Sequence, residues 1–599
     1  MANSPAIVVL SPSGLETAKK IRTKLENSKI HARLSEADVQ FKDVKDHVQT
    51  LFKEGCPIIG LCASGILIRL LSSLLDDKWH EPPVLAVSET GSAVVPLLGG
   101  HHGANDLARH IAEALGVEAA VTTSGDLHFG VALDSPPEGY MLSNPEDAKS
   151  FMSHLLKGEK TQVYGNAPWL KESKLPFSDT GSLTISVTEK ITQGDGRHLV
   201  YHPKTLVVGM GAVRGAPESE AIALVGTVLK ENSLSTHSVA AVTSIDLKAD
   251  ETAIHAVAKH INVPARFFTK DELKVQEPNL ENPSEIVRSE VGVAGVAEAA
   301  ALAFGENNKL VVSKKKSTNT TIAIAKTTNP PNISYGRTRG LVSLIGVGPG
   351  SKAWRSAESV KLLREATDWV GYDLYLDLVE DLKTSQTEHR FPLGAEEKRV
   401  RHAMELAAQG KDVAVVCSGD PGIYAMATLA YELIDTGARD GELTEAARRV
   451  ELIVAPGISA FQAAAARAGA PIGHDFCCIS LSDLLTPRDD ILKRLNAAAE
   501  GDFVTAFYNP RSKRRITLLD EAFEIYKKHR PDDTPIILAT DLGREKENVR
   551  VVTLATVKSE DVDMLTLVMI GSSNSKWLET GDGHKWVYTP RGYNRKETP

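Results

Sequence analysis

The stretch Leu341–Tyr375, LVSLIGVGPGSKAWRSAESVKLLREATDWVGYDLY, decides how the chain is read. Leu341–Ile345 is a mostly apolar run of the length of one buried strand. Gly346–Gly350, GVGPG, is a tight turn, and beyond it Ala357, Val360, Leu363 and Ala366 recur at the spacing of one helix face. Strand, turn and helix in that order are the unit of a parallel sheet wrapped by helices. The glycines admit two readings: close approach of backbone to a ligand, or a plain turn in which Pro349 lacks the amide that phosphate cradling would use.

The same alternation runs outward in both directions. Ile7–Leu10 precedes a helical pattern over Leu15–Leu25, Pro57–Leu61 precedes Ile66–Leu75, and Pro83–Val87 precedes a turn at Glu89–Gly91. The fold class is therefore α/β throughout. At roughly 150 residues per domain, 599 residues make about four domains, or two to three large ones. We expect an α/β domain over 1–133, a small middle segment over 134–203 where Pro, Gly and Ser blur the pattern, and a third domain over 204–326. That third domain opens with the strand Thr205–Val208 and closes with two paired strands around Lys314–Lys316. Residues 327–340, TTNPPNISYGRTRG, have the composition of a tether, and a complete α/β domain occupies 341–599.

Composition bounds the function. Hydrophobic residues at 42%, charged residues at 24% and a mean hydropathy of -0.14 belong to a folded chain with buried cores, not to a disordered, collagenous or membrane one. The net charge of -9 and pI near 6.1 argue against a nucleic acid or anionic membrane partner, so a small-molecule role is expected. No apolar run approaches the ~18 to 20 residues that span a bilayer, and MANSPAIVVLSPSG lacks signal-peptide character, so a cytoplasmic location is expected. Five cysteines, an odd number without a CxxC pair, predict reduced thiols and no metal clip.

Five later strands end as Leu341–Ile345 does, in small or polar residues at the carboxyl edge where α/β sheets bind ligands. Val413–Val416 leads into CSGDPGIY, Val450–Val454 into APGISA, Phe503–Phe507 into YNPRS, Ile536–Ala539 into TDLG, and Leu565–Ile570 into GSSN. Any one of them reads as an exposed turn, because Gly, Pro, Asp and Asn dominate turns for steric reasons. Six together predict a rim of converging loops.

The combination GVGPG, VGYDLY, VCSGDPGIYAMA, APGISAFQAAAARAGAP and FYNPRS resembles the tetrapyrrole methyltransferases over Leu341–Tyr593. Within them, GDPGIYAMA and FYNPRSKRR resemble the precorrin-3B C(17)-methyltransferases of cobalamin biosynthesis. The resemblance implies a two-lobed α/β methyltransferase, usually a homodimer, that binds S-adenosylmethionine between its lobes and methylates carbon 17 with ring contraction. It implies cofactor contacts from Gly346, Gly348, Pro349, Ser418, Gly419, Asp420 and Ile423, then from Ser459, Ala460, Tyr508, Asn509 and Gly543. Asp373, Asp420 and Asp541 lie on the rim as candidates for proton transfer, against the plainer reading of turn-capping aspartates. Arg511, Lys513, Arg514 and Arg515 follow FYNP and either face the substrate carboxylates or begin a solvated helix. No metal ligand set is expected.

In the N-terminal half, ETG, LLGGHHGAN, GMGAVRGAP, SIDLKADE and VGVAGVAEAAAL resemble the cobalt-precorrin-5A hydrolase CbiG, and the third domain also resembles CobE. The resemblance implies opening of a precorrin lactone with release of acetaldehyde, or a tetrapyrrole-binding module without chemistry. Glu89 and His101 are the proton-transfer candidates; the adjacent His101 and His102 diverge on regular structure, so joint chelation is the minority reading. GMGAVRGAP is not a dinucleotide fingerprint, because Arg214 stands where the third glycine belongs. Arg214, at a strand end, is instead expected to meet a carboxylate, with Lys248 and Glu251 nearby. Two rivals remain in view: methylation of uroporphyrinogen or another precorrin carbon, and RNA ribose methylation, which the acidic pI disfavours.

Overall fold

The architecture comes from a computed structural model that describes residues 4–25, 28–76, 81–122, 128–331, 335–436, 443–512 and 517–592, with the side chains of His101 and Thr436 outside that description. The chain forms two compact units, Met1–Ile245 with Glu251–Gly336, and Arg337–Pro599 with Asp246–Asp250. Among the described residues no helix is long and apolar enough to cross a membrane.

The first unit holds three sheets. The first has six strands, parallel except for the edge strand Val94–Leu98. Every residue of Ala6–Val9, Ile58–Leu61 and Val84–Val87 is buried, which is why these runs are continuously apolar: helices cover both faces. The expected weak middle segment is a folded domain, with a four-stranded sheet and a core around Phe151, Leu170, Ile185, Leu199 and Tyr201. Its signal is faint because Leu183–Val187 alternates buried and half-buried residues, as a sheet covered on one face does. In the third sheet Leu206–Ala212 runs parallel to Val239–Ile245 and antiparallel to Thr320–Lys326, which pairs with Lys309–Lys316. The GMG of GMGAVRGAP therefore lies inside a strand and not in a ligand loop. A Cβ on Gly209 would stand 1.9 Å from the Ala297 carbonyl oxygen, so this glycine lets the helix Val296–Ala303 cross the strand at backbone contact.

The expected tether is packed at both ends. Thr327 is buried and donates its amide to the Thr205 carbonyl, within the first unit. In the second unit, Thr338 donates to the Gly410 carbonyl and Arg339 to the Arg449 carbonyl, and a Cβ on Gly340 would overlap the Ala407 carbonyl oxygen.

The second unit has two lobes. The first is an all-parallel sheet of β1 (Leu341–Gly346), β2 (Asp368–Tyr372), β3 (Thr387–Phe391), β4 (Asp412–Cys417) and β5 (Glu451–Ala455), in the order β3-β2-β4-β1-β5. Its helices are α1 (Ala357–Glu365), α2 (Asp373–Asp377), α3 (Glu396–Ala407) and α4 (Met426–Thr436). The helix α5 (Ala460–Ala468) leads into the second lobe, where β6 (Phe476–Ser480), β7 (Val504–Tyr508), β8 (Pro535–Thr540), β9 (Asn548–Thr553) and β10 (Thr566–Ile570) pair in the order β6-β7-β10-β8-β9. Because β10 is antiparallel to both β7 and β8, Ile570 lies opposite Thr505 and Ile536 at their starts. The GSSN loop after β10 is thus at the far end of the sheet, and five loops, not six, can share a rim.

Candidate active site

Glycines at the carboxyl ends of β1, β4 and β5 touch backbone to backbone. A Cβ on Gly457 would lie 2.1 Å from the Gly419 carbonyl oxygen, and one on Gly346 would lie 2.6 Å from the Gly457 nitrogen. Gly348 and Gly419 exchange amide and carbonyl, at 2.9 and 3.3 Å. Asp420 ties the same loops together: Oδ1 accepts the Gly422 amide at 2.8 Å and Oδ2 the Gly457 amide at 3.1 Å. Its carboxylate braces two loops, so a role in proton transfer would compete with that bracing.

One face of this knot is open. Gly419 has φ +72, and beyond its missing Cβ the nearest atom is the Ser459 Cα at 3.8 Å. Half-buried Ser418, Ile423 and Ala460 flank the same loops. Ser459 is 1% exposed and caps α5, in a reciprocal capping box with Gln462, so it orders the helix start from beneath.

The second lobe completes the rim. The Tyr508 hydroxyl accepts the Phe461 amide at 3.2 Å and donates to Ser459 Oγ at 3.3 Å; burial raises its phenol above the ordinary range. The Tyr424 ring lies tilted against it at 5.2 Å, and Tyr424 donates to the Cys478 carbonyl at 2.8 Å, joining the lobes, from a left-handed backbone at φ 51. Asn509 donates to Ser480 Oγ at 3.2 Å. Gly543 meets the first lobe: a Cβ there would stand 2.6 Å from the Ser351 nitrogen, and Arg544 Nε donates to the Pro349 carbonyl at 3.1 Å. Gly543 thus faces Ser351 and Pro349 is held by Arg544, so both are engaged across the lobes.

The remaining expected residues are placed differently. Asp541 lies 3.6 Å from Arg544 in a rim turn, whereas Asp373 is exposed and faces Arg390 at 3.8 Å. Arg511 is committed to the Ser559 carbonyl at 2.7 Å; Lys513, Arg514 and Arg515 lie outside the described residues. In the first unit Arg214 pairs with Glu251, a carboxylate only 3% exposed, at 2.8 Å, and Glu251 also accepts the Gly215 amide. Arg214 thus meets a carboxylate of the chain itself, and its side chain stays 47% exposed. Glu89 accepts the Ser13 hydroxyl, and His101 has its backbone in the turn Gly100–His102 while its side chain lies outside the described residues. Lys248 ends a single turn, Asp246–Lys248. Among the described residues no three His, Cys, Asp or Glu side chains gather as a metal site.

Sequence reading missed Tyr424 and Gly457, although both stand in the quoted motifs. Their signal was an aromatic after the Pro421-Gly422 turn and a Pro-Gly pair at a strand end, neither distinguishable from an ordinary turn until the loops meet.

Glycine-edged loops from two facing α/β lobes, with one open face, define a two-lobed methyltransferase. The chain belongs to the tetrapyrrole (corrin/porphyrin) methylase family, which it matches over residues 341–558. It is 40% identical over 254 residues to the precorrin-3B C(17)-methyltransferase of Sinorhizobium sp, covering 42% of this chain and 97% of that protein. It is 40% identical over 261 residues to the cobalt-factor III methyltransferase of Priestia megaterium, covering 43% of this chain and 46%, about half, of that relative. The crystal structure of the methyltransferase CobJ aligns at 39% identity with a TM-score of 0.38, covering 42% of this chain and all of that one. Residues 46–126 and 206–325 match the cobalamin synthesis G N-terminal and C-terminal families. S-adenosylmethionine is the family's methyl donor, and the residues fit it. Gly419 leaves the space of a Cβ open beside half-buried Ser418, Ile423 and Ala460, a mixed apolar and hydroxyl lining of the kind a nucleoside takes.

Proposed function

We propose that the C-terminal unit transfers a methyl group to carbon 17 of precorrin-3B, or of its cobalt form, with contraction of the ring to precorrin-4. What supports this reading is the convergence of Gly346, Gly419 and Gly457 around one open face, in a chain that aligns with nearly all of a relative bearing that name. When bound, S-adenosylmethionine supplies a methyl already activated on a sulfonium. The chain's residues then have mainly to position and to exclude water, which can lower a barrier by roughly 7 to 11 kcal/mol. Asp420 and the capping box of α5 hold the loops rigid, while Tyr424 and Tyr508 close the seam between the lobes. Of the three rim aspartates, Asp541 best suits proton management, since its carboxylate braces no backbone in the rim as that of Asp420 does.

The first unit serves the same pathway in this reading, opening the lactone of a later intermediate with Glu89 and His101 as the proton-transfer groups. We also propose a homodimer through the C-terminal unit, testable by light scattering. The deciding experiment is mass spectrometry of the full-length protein with precorrin-3B, with and without cobalt, and methyl-labelled S-adenosylmethionine. One labelled methyl in a contracted product supports the reading; transfer to uroporphyrinogen alone would place the chain at another step. Acetaldehyde release tests the first unit.

A further inference from the structure

Among the described residues the second unit buries the side chains of Arg355, Arg399 and Arg530, and two of the three have a carboxylate. Arg355, with a side chain 4% exposed, is held by Asp381 at 2.9 Å, and Arg530, 1% exposed, by Asp502 at 3.0 Å. Arg399 on α3 is the exception. It is 2% exposed, and among the described residues no carboxylate reaches it. Of its five N–H donors, one Nη2 bond goes to the Pro392 carbonyl at 3.1 Å and Nη1 makes a weak contact with Met426 Sδ at 3.9 Å; Nε is buried with no partner. A guanidinium taken out of water without a counter-charge is strongly unfavourable unless an anion arrives to match it.

Its position says which anion. Pro392 follows the carboxyl end of β3 and Met426 follows the loop after β4, and β2 lies between those strands. The guanidinium thus sits at the carboxyl edge of the first-lobe sheet, where α/β folds bind ligands. Burial raises the Tyr375 phenol, just after β2, and the guanidiniums of Arg544 and Arg399 oppose that rise. Arg544, from the second lobe, is already engaged by the Pro349 carbonyl and by Asp541 at 3.6 Å, so Arg399 is the cation left without a carboxylate among the described residues. Pro392, Leu393 and Gly394 are exposed, so the turn that Arg399 holds lies at the surface.

We propose that Arg399 is the seat of a carboxylate belonging to one of the two reactants. This rests on the methyltransferase reading, whose two reactants both carry carboxylates: the methionine tail of the donor and the acetate and propionate arms of the macrocycle. A planar fork with a free Nε suits bidentate capture of either.

Calorimetry on the full-length protein distinguishes the sources. Arg399→Met is compared with the parent for S-adenosylhomocysteine, which keeps the amino-acid tail, and for 5′-methylthioadenosine, which lacks it; precorrin-3B is followed by KM and kcat. A tenfold or greater loss for S-adenosylhomocysteine alone assigns the seat to the donor's tail. Unchanged nucleoside affinities with a tenfold rise in KM and kcat within twofold assign it to the macrocycle. No change in any of the three, or equal loss for both nucleosides, overturns the proposal and leaves Arg399 a brace between α3 and the Pro392 turn. If the methionine variant does not fold, Arg399→Lys, which keeps the charge and loses the fork, is read in the same way, with a threefold change as the criterion. A parent protein that binds neither nucleoside nor precorrin-3B would sink the methyltransferase reading itself, a separate outcome.

Discussion

At Gly457 one added methyl group would stand 2.1 Å from the Gly419 carbonyl oxygen, inside any tolerable contact, while at Gly419 the same methyl would meet nothing nearer than 3.8 Å. The two glycines therefore predict different phenotypes. Gly457→Ala should force the loops apart and lower both thermal stability and S-adenosylhomocysteine affinity. Gly419→Ala should cost only about 1 kcal/mol of stability, for an alanine at positive φ, yet weaken the nucleoside at least tenfold by filling its space. Paired melting curves and calorimetry check this; a Gly419→Ala protein that binds normally would show that the open face is not the cofactor's. Residue chemistry also sets a pH dependence in the first unit. His31, 7% exposed, has its pKa lowered to about 4 by burial, then by His47 2.8 Å away and by Lys29, with Asp38 opposing. The unfolded chain takes up a proton near pH 6.5 and the folded one does not, so this group's stability is full above pH 6.5 and is lost as the pH falls toward 4. Denaturant unfolding should show about 2 kcal/mol less stability at pH 5 than at pH 7 from this site, and His31→Gln should flatten the slope.

At the scale of elements, the start of α5 is the joint between the lobes. Ser459 caps the helix, Gln462 closes the box, and Tyr508 from β7 binds both the Phe461 amide and the Ser459 hydroxyl. Ser459→Ala should lower stability by about 1 kcal/mol, as cap removal does, and should also free Tyr508. Tyr508→Phe removes the same link from the other side, so the double variant should lose less than the sum of the singles; additive losses would show that the two do not act together. The strands and helices here were legible from periodicity, and the loops after β1, β4, β5, β7 and β8 fall where strand ends were expected. The direction of β10 was not, because an apolar run carries no sign of whether it runs with or against its neighbours. That one unknown moved GSSN from the rim to the opposite end. Arg399 was likewise invisible as a site, although an arginine sharing a helix face with Ala403 and Leu406 was the available signal.

At the scale of the whole molecule, the chain divides between Gly336 and Arg337, apart from Asp246–Asp250. Each unit has its own sheets and cores, so fragments 1–336 and 337–599 should each fold cooperatively when expressed alone. The second fragment should keep nucleoside binding within about threefold of the parent, since every loop of the rim lies within it. Aggregation of either fragment, or loss of binding by the second, would show that the division does not mark independent folding. The Thr327–Gly340 stretch looked like a tether because Pro, Asn and Gly are common in linkers, yet buried Thr327 and the bonds of Thr338 and Arg339 attach its two ends to their own units. Composition reports a lack of regular structure, not a lack of packing.

The sequence by itself determined the α/β class, most strands of both lobes, and the methylase family of the C-terminal unit with the strand-end motifs that carry it. Those properties are local: hydrophobic period and turn chemistry act within a few residues and are written in order along the chain. Tertiary structure alone decided which glycines leave open space and which meet another backbone, that Arg214 pairs with Glu251, that Asp420 is a brace, and that Arg399 is a buried cation without a carboxylate among the described residues. Each of these depends on groups tens of residues apart arriving within hydrogen-bonding distance, and the free energy of a charge or a missing side chain is set by what surrounds it, not by what precedes it.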